Sequence, residues 1–188
     1  MNKRVTKAIT TCLLGASLLI MAGCGSTNVM DKYSFGNQVI QSGQSEITVA
    51  LPYEMGKSTA TITSNDGYPI DVYGSASDHM LIQVEARRPA ATKVLPTVDE
   101  FAMKSVVEFK KIKGDVKVDT VSLNGVPAKK VSATFTNQGK KFSFLQYVFL
   151  DKNVLWNIVY QYPTDDQVGA DISKQIEDKI QVTQKKEG

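Results

Sequence analysis

Histidine and cysteine are the scarcest reactive residues in this 188-residue chain, which has one histidine and two cysteines. Both cysteines, Cys12 and Cys24, lie near the N-terminus, so the sequence beyond them cannot form a disulfide of its own. Hydrolysis by a serine or cysteine triad needs a base, and only His79 could supply it as a histidine. Since no nucleophile-elbow sequence accompanies it, we interpret His79 as a surface side chain with no catalytic or metal-binding role.

A long apolar run is also missing, since a membrane-spanning helix needs about 20 apolar residues. The apolar stretch over residues 8–22 is shorter and follows a basic segment, residues 1–7, which is the pattern of an export signal. The end of this stretch, Met21-Ala22-Gly23-Cys24, resembles the lipobox of bacterial lipoproteins. In that family the cysteine thiol receives a diacylglycerol, and cleavage leaves the cysteine as the new N-terminus.

The lipobox resemblance implies three segments. We expect a signal peptide over residues 1–23, a lipidated N-terminus with a flexible tether over residues 24–36, and a single globular domain over residues 37–188. The protein would be exported and anchored by lipid on Cys24 to the cell membrane, or to the outer membrane if the host has two. Because one acyl chain binds a membrane weakly, stable anchoring needs several chains, palmitate among them.

An excess of charge of either sign is absent once the signal is removed. The full chain has 22 basic and 19 acidic residues, and loss of Lys3, Arg4 and Lys7 leaves 19 of each. A neutral chain has no electrostatic basis for binding nucleic acid, so we expect no nucleic-acid partner. No motif for a cofactor is present, and we expect none.

Extended patterns and one helix occupy the first part of the domain. Alternating apolar residues predict strands near residues 46–51, 59–63 and 80–86. Thr97 stands three residues before Glu100, as in a capping box, and predicts a helix that ends at Gly114.

The second half predicts a meander of four antiparallel strands over about residues 116–162, joined by short turns. The apolar phase of the first of these strands slips, which suggests a bulge near Asp119. The last two strands are apolar on both faces and therefore need cover on both sides. Thr164 is predicted to cap a final helix, whose apolar stripe is Val168, Ile172, Ile176 and Ile180. The predicted class is α+β, an antiparallel sheet flanked by helices.

The order of these elements resembles PsbP-like proteins and their bacterial relatives of the DcrB type. The resemblance covers about residues 46–182 and depends on Leu51-Pro52, the helix after Thr97, residues 123–128 (LNGVPA), and the helix after Tyr162-Pro163. It implies an α/β/α sandwich, and it implies docking onto a larger partner rather than catalysis. No site residues can be transferred, because the matching positions are turn and core positions.

The candidate sites are few. Trp156, Tyr160 and Tyr162 share one face of the last strand, beside Phe142 and Phe144 of its neighbour. Aromatic residues on a buried strand favour core packing, and the alternative is that they line a partner or ligand surface. The acidic pairs Asp99-Glu100 and Asp165-Asp166 fall in first turns of predicted helices, where the helix dipole favours acids without any metal.

Two functional hypotheses follow. The first is a membrane-anchored, non-catalytic binding or accessory module for an envelope protein, which predicts an exposed apolar patch. The alternative is a binder of a small apolar or cell-wall ligand, or an enzyme, with a pocket between sheet and helix. The oligomeric state is not predictable from these patterns.

Overall fold

The structure is a computed structural model that describes residues 36–51, 56–57 and 62–183. The predicted signal peptide, the lipidation site Cys24 and nearly all of the predicted tether lie outside these residues. None of the helices in the described ranges combines the length and the apolar character needed to cross a membrane. The strands are β1 (Gly36–Ser42), β2 (Ser45–Leu51), β3 (Gly56–Lys57), β4 (Ile62–Thr63), β5 (Pro69–Ala76), β6 (Leu81–Arg87), β7 (Asp115–Leu123), β8 (Val126–Asn137), β9 (Lys140–Asp151), β10 (Val154–Pro163) and β11 (Ile180–Val182). The helices are α1 (Val98–Lys111) and α2 (Gln167–Ile176), and a 3-10 turn (Glu177–Lys179) follows α2.

Two antiparallel sheets organise the chain. The large sheet has the order β3-β5-β6-β10-β9-β8-β7, with β4 also paired to β5, and the small sheet has the order β1-β2-β11. The predicted meander is therefore confirmed as β7 to β10. Its turns are tight because two successive residues adopt positive φ: Asn124 and Gly125 have φ of 50° and 88°, and Lys152 and Asn153 have φ of 45° and 61°. Turns of this kind match the twist of the strands they join.

The large sheet is covered on both faces, as the predicted α+β sandwich requires. On the first face, called face A, α1 buries Phe101 and Val106 against Val131, Val148 and Leu155. On the second, called face B, the small sheet and α2 enclose the largest core cluster. Its fully buried large side chains include Trp156, Phe149, Tyr147, Ile158, Ile47 and Ile172.

Helix α1 begins as its sequence predicts. The Glu100 N–H donates to Thr97 Oγ1 at 3.2 Å, and the Thr97 N–H donates to Glu100 Oε2 at 2.8 Å, which completes the capping box. The helix ends at Lys111, and Lys113 rather than Gly114 adopts the left-handed conformation, with φ of 57°. Gly114 instead closes the last turn, since its N–H donates to the Phe109 carbonyl at 2.8 Å.

The predicted bulge near Asp119 is wrong. β7 pairs with β8 in an unbroken register from Asp115 opposite Thr134 to Leu123 opposite Val126. The apolar phase slips because the two ends of β7 serve different layers. Val116 packs with the face A clusters, whereas Val121 and Leu123 join the face B core.

Two other predictions need correction, and one strand was not predicted. Asp166, not Thr164, caps α2, since its carboxylate accepts the Gly169 N–H at 2.9 Å. Ile180 belongs to β11 and not to the last helix. β1 was not predicted because GNQVIQS is mostly polar, and it starts at Gly36, where the predicted tether ends. Of the predicted strand over residues 59–63, the described part is β4.

Candidate functional site

The register of β7 to β10 arranges face B in rows that run across four strands. Directly paired residues of antiparallel strands point to the same face, so each pairing extends a row. The upper rows carry the apolar core. The two lower rows carry polar residues, and they are Lys117, Ser132, Leu145, Tyr160 and Asp115, Thr134, Ser143, Tyr162.

All residues of these two rows except Tyr160 line a groove of about 280 Å³, which we call the hydroxyl groove. β7 forms its outer wall with Asp115 and Lys117, and Tyr162 forms the opposite wall. Its floor consists of three hydroxyl side chains and one apolar side chain, which are Ser132, Thr134, Ser143 and Leu145. The structure therefore has a concave surface where the small sheet no longer covers the large one.

Helix α2 fixes the Tyr162 wall. The Tyr162 and Ser173 hydroxyl oxygens are 3.1 Å apart. Gly169 lies so close to the strand that a Cβ on it would be 2.8 Å from Tyr162 Cβ and 2.9 Å from the His79 carbonyl oxygen. Only glycine permits this approach, and the ring of Tyr162 is held in place as a result.

A charged cluster sits one row above the groove. Lys130 pairs with Glu177, and the Tyr147 hydroxyl donates to Glu177 Oε2 at 2.9 Å. Burial alone would raise the pKa of Glu177, but hydrogen bonds from Lys130 and Tyr147 outweigh it and lower that pKa. Burial, with the nearby Glu177 carboxylate, raises the pKa of the Tyr147 phenol. At neutral pH the carboxylate is therefore charged and the phenol neutral, and the cluster attaches the 3-10 turn to the sheet.

Two of the three aromatic residues predicted as a partner or ligand surface are in the core instead. Trp156 and Tyr160 are 0 % exposed. Trp156 stacks with Phe149 at 6.5 Å between ring centroids, and its indole N–H donates to Ser45 Oγ at 2.8 Å. Their row faces away from Phe142 and Phe144, which pack on face A with Phe109. Only Tyr162 of the three lines the groove.

His79 lies outside the groove. Its Nδ1 is 2.8 Å from Asp166 Oδ2, and Asp166 also caps α2. Burial would raise the pKa of Asp166, but hydrogen bonds from the Gly169 amide and His79 lower it further than burial raises it. The pair connects the β5–β6 turn to the start of α2.

A buried ion cluster on face A was not predicted from the sequence. Arg87 donates to Glu85 Oε1 at 2.8 Å and to Asp66 Oδ1 at 2.6 Å, and its guanidinium lies 5.0 Å from the ring of Phe101. The cluster attaches α1 and the β4–β5 loop to β6. The available signal was Glu85 and Arg87 two residues apart in a strand, which places both on one face.

The acidic pairs hold no metal-binding geometry. Asp99 pairs with Lys129 at 2.9 Å, and Glu100 belongs to the capping box. Across residues 36–51, 56–57 and 62–183, no group of three histidine, cysteine or acidic side chains is arranged to hold a metal ion.

The hydroxyl groove itself offers hydrogen-bond donors and acceptors, because each of its hydroxyl groups can both donate and accept. That arrangement suits binding.

Comparison with known proteins gives structures but no sequence family. No family model matches the chain, and no curated protein matches it. A Pseudomonas aeruginosa protein of unknown function, PA94, aligns with a TM-score of 0.42 and 8% identity over 74% of this chain and 91% of its own. LpqN, involved in cell envelope biogenesis of Mycobacterium tuberculosis, aligns with a TM-score of 0.47 and 10% identity over 83% of this chain and 95% of its own.

The third structure is the cyanobacterial PsbP, CyanoP, from Synechocystis sp. PCC 6803. It aligns with a TM-score of 0.55 and 10% identity, and the alignment covers 85% of this chain and 98% of CyanoP. At this identity the likeness concerns the fold alone. The chain has a PsbP-like fold, as the order of its elements predicted.

Proposed function

We propose that this protein is an envelope lipoprotein, anchored by lipid on Cys24, that acts as a non-catalytic binding or accessory module. The hydroxyl groove is the observation on which the proposal depends. It is a concave surface with hydrogen-bonding groups, its Tyr162 wall is fixed by α2, and its β7 wall is a strand at the edge of the sheet. Such a surface can bind part of a partner without catalysing a reaction.

The predicted apolar patch has limited support. The large apolar side chains that are exposed lie on several elements, and only Met103 and Val107, both on α1, are one helical turn apart. A single pair of this kind is ordinary on a protein surface. The groove therefore supports the proposal better than the apolar surface does.

Crosslinking and co-purification from intact cells tests the proposal. We expect the native protein to recover a specific envelope protein, and we expect Cys24→Ala to release the domain from the membrane and lose that partner. Thr134→Arg fills the groove and should also lose the partner, with membrane association intact. Thr136→Arg is the matched control, since it adds the same charge on the same strand and face but outside the groove lining.

Each arm can contradict a different part of the proposal. Unchanged membrane association of the Cys24→Ala variant would contradict lipid anchoring through Cys24. Equal recovery of the partner with Thr134→Arg and Thr136→Arg would show that the groove is not the binding surface.

The groove also favours a second candidate, a small polar ligand. Its floor combines the Ser132, Thr134 and Ser143 hydroxyls with apolar surface, which suits a molecule that has both hydroxyls and apolar faces, such as a cell-wall glycan fragment. Titration of the protein with soluble glycan fragments of cell wall, followed by NMR, would favour this candidate if groove amides shift in a saturable way. Shifts that are unchanged by Thr134→Arg would count against it.

A further inference from the structure

β7 is an edge of the large sheet. Among the described strands it pairs with β8 alone, so the backbone N–H and C=O groups of every second residue along its other side have no strand partner there. Edge strands are often blunted by a bulge, a proline or charged side chains. β7 has neither a bulge nor a proline, and its register with β8 is unbroken.

Two of the three charged side chains on this edge pair with each other, and Asp115 is the third. Lys117 and Asp119 are two residues apart and point to the same face, with Nζ and Oδ1 2.9 Å apart and the lysine side chain 74% exposed. Val118 lies between them, points to the other face and is 36% exposed. A lone lysine would repel a second copy of itself, but this arrangement does not.

We propose that β7 is a homodimer interface, in which β7 of a second copy pairs antiparallel with it about a two-fold axis through Val118. A two-fold axis perpendicular to the sheet keeps the faces aligned, so each residue meets one of the same parity. With the axis at Val118, Lys117 lies opposite Asp119 of the second copy, twice. Val118 meets its own counterpart, and Val116 meets Thr120.

Neighbouring registers are electrostatically worse. An axis at Asp119 would place two aspartates directly opposite each other, and an axis at Lys117 would do the same with two lysines. Directly opposed like charges destabilise a strand pair, whereas opposite charges stabilise it. The sequence of β7, DVKVDTVSL, is thus complementary to itself in the register centred on Val118, which pairs residues 115–121 of the two copies.

Pairing in this register would also join two grooves. Asp115 and Lys117 line the hydroxyl groove on face B and lie along the shared edge. The dimer would present the two grooves side by side on one continuous sheet, and it does not depend on the lipid anchor or on groove binding.

Cysteine crosslinking in the full-length chain tests this register. Residues directly opposite in antiparallel strands have Cα atoms about 4.5–5.5 Å apart, within the range that a disulfide spans. Val118→Cys should therefore form a disulfide-linked dimer under mild oxidation. Thr120→Cys is the matched control on the same strand, because its counterpart lies about 13 Å farther along the edge, and it should not crosslink with itself. The wild-type chain, oxidised in the same way, shows how much crosslinking comes from Cys12 and Cys24.

A charge exchange tests the same pairing independently. In the Val118→Cys background, Lys117→Asp alone and Asp119→Lys alone should each lower the crosslinked fraction roughly tenfold, since both pairs become repulsive. The double variant Lys117→Asp with Asp119→Lys restores opposite charges across the axis and should restore crosslinking.

Co-expression of Val116→Cys with Thr120→Cys provides a second geometric check, since these positions oppose each other across the axis. It should yield a mixed dimer even if the geometry at Val118 disfavours a disulfide. Absence of crosslinking in both designs would overturn the proposal. Equal crosslinking of Val118→Cys and Thr120→Cys would also overturn it, because that result indicates random collision.

Discussion

The upper and lower halves of face B are made by the same strands but differ in what covers them. In the upper half the small sheet packs on the large one, and the row of Ala128, Phe149 and Trp156 is buried completely or almost completely. In the lower half α2 packs only over Tyr162 and its surroundings. Between Tyr162 and β7, most side chains of the large sheet carry hydroxyl groups or charges. Exposure thus begins where the second layer stops, and the candidate site lies in that uncovered half.

The largest contrast should be in stability. Trp156→Ala removes a fully buried ring and its hydrogen bond to Ser45, so we expect the free energy of unfolding to fall by about 4 kcal/mol. Ser132→Ala in the groove should change it by less than about 0.5 kcal/mol. Urea denaturation of both variants measures the difference. Similar losses at the two positions would mean that the groove is part of the core.

The contact between α2 and Tyr162 separates the two halves and offers the next largest effect. Gly169→Ala would place a methyl group 2.8 Å from Tyr162 Cβ and 2.9 Å from the backbone oxygen of His79. Although alanine favours helices, we expect a loss of about 1–3 kcal/mol, because backbone cannot move aside cheaply. Lys174→Ala, on the exposed side of α2, is the control and should be nearly neutral. A stabilised Gly169→Ala protein would contradict the close packing.

Face A provides a further test, because ion pairs help to hold α1 and the β4–β5 loop on it. Burial would raise the pKa of Asp66, but hydrogen bonds from Ser64 and Arg87, with the charge of Arg87, lower it from 3.8 to about 2. A carboxyl with a lowered pKa stabilises the fold above its unfolded pKa and loses that contribution as pH falls through the folded pKa. Stability should therefore decline between about pH 4 and pH 2, and Asp66→Asn should flatten this decline. Thermal unfolding measured across that range tests it, and an identical acid limb in the variant would refute the role of Asp66.

The smallest predicted effect lies at the end of α1. Lys113 adopts φ of 57°, and L-residues other than glycine disfavour this region by roughly 1 kcal/mol. Lys113→Gly should therefore stabilise the protein slightly. The same substitution within the helix, Lys110→Gly, should destabilise it by about 1 kcal/mol. A higher melting temperature for Lys113→Gly and a lower one for Lys110→Gly would support a helix that ends at Lys111.

Local signals in the sequence predicted local structure well. The capping box at Thr97 and the turn at Asn124-Gly125 involve neighbours in the chain, and the structure contains both. The last turn of the meander, predicted at Asp151-Lys152, lies one residue later at Lys152-Asn153. The order of elements was also sufficient to predict the PsbP-like class. The failures have a common cause: β1 is polar, β11 is three residues long, and the phase slip in β7 reflects packing partners distant in sequence.

The groove was beyond prediction because it depends on register. Thr134, Ser143 and Tyr162 meet only when three strands pair in one alignment. The signal present in the sequence was weak: Ser132, Thr134 and Ser143 each stand between two apolar residues. The same lack of register information left open whether Trp156 and Tyr160 lie on the surface, and both are buried in the core cluster formed with the small sheet and α2.

Site-specific photo-crosslinking in intact cells tests most directly the claim that the lower half of face B is the binding surface. A photoreactive side chain would be placed at Ser132 in the groove and, as a control, at Gln181, which is exposed on β11 in the small sheet. We predict a discrete adduct, with an envelope protein or a cell-wall glycan, from position 132 and none from position 181. No adduct at position 132, or the same adduct at both positions, would contradict the account.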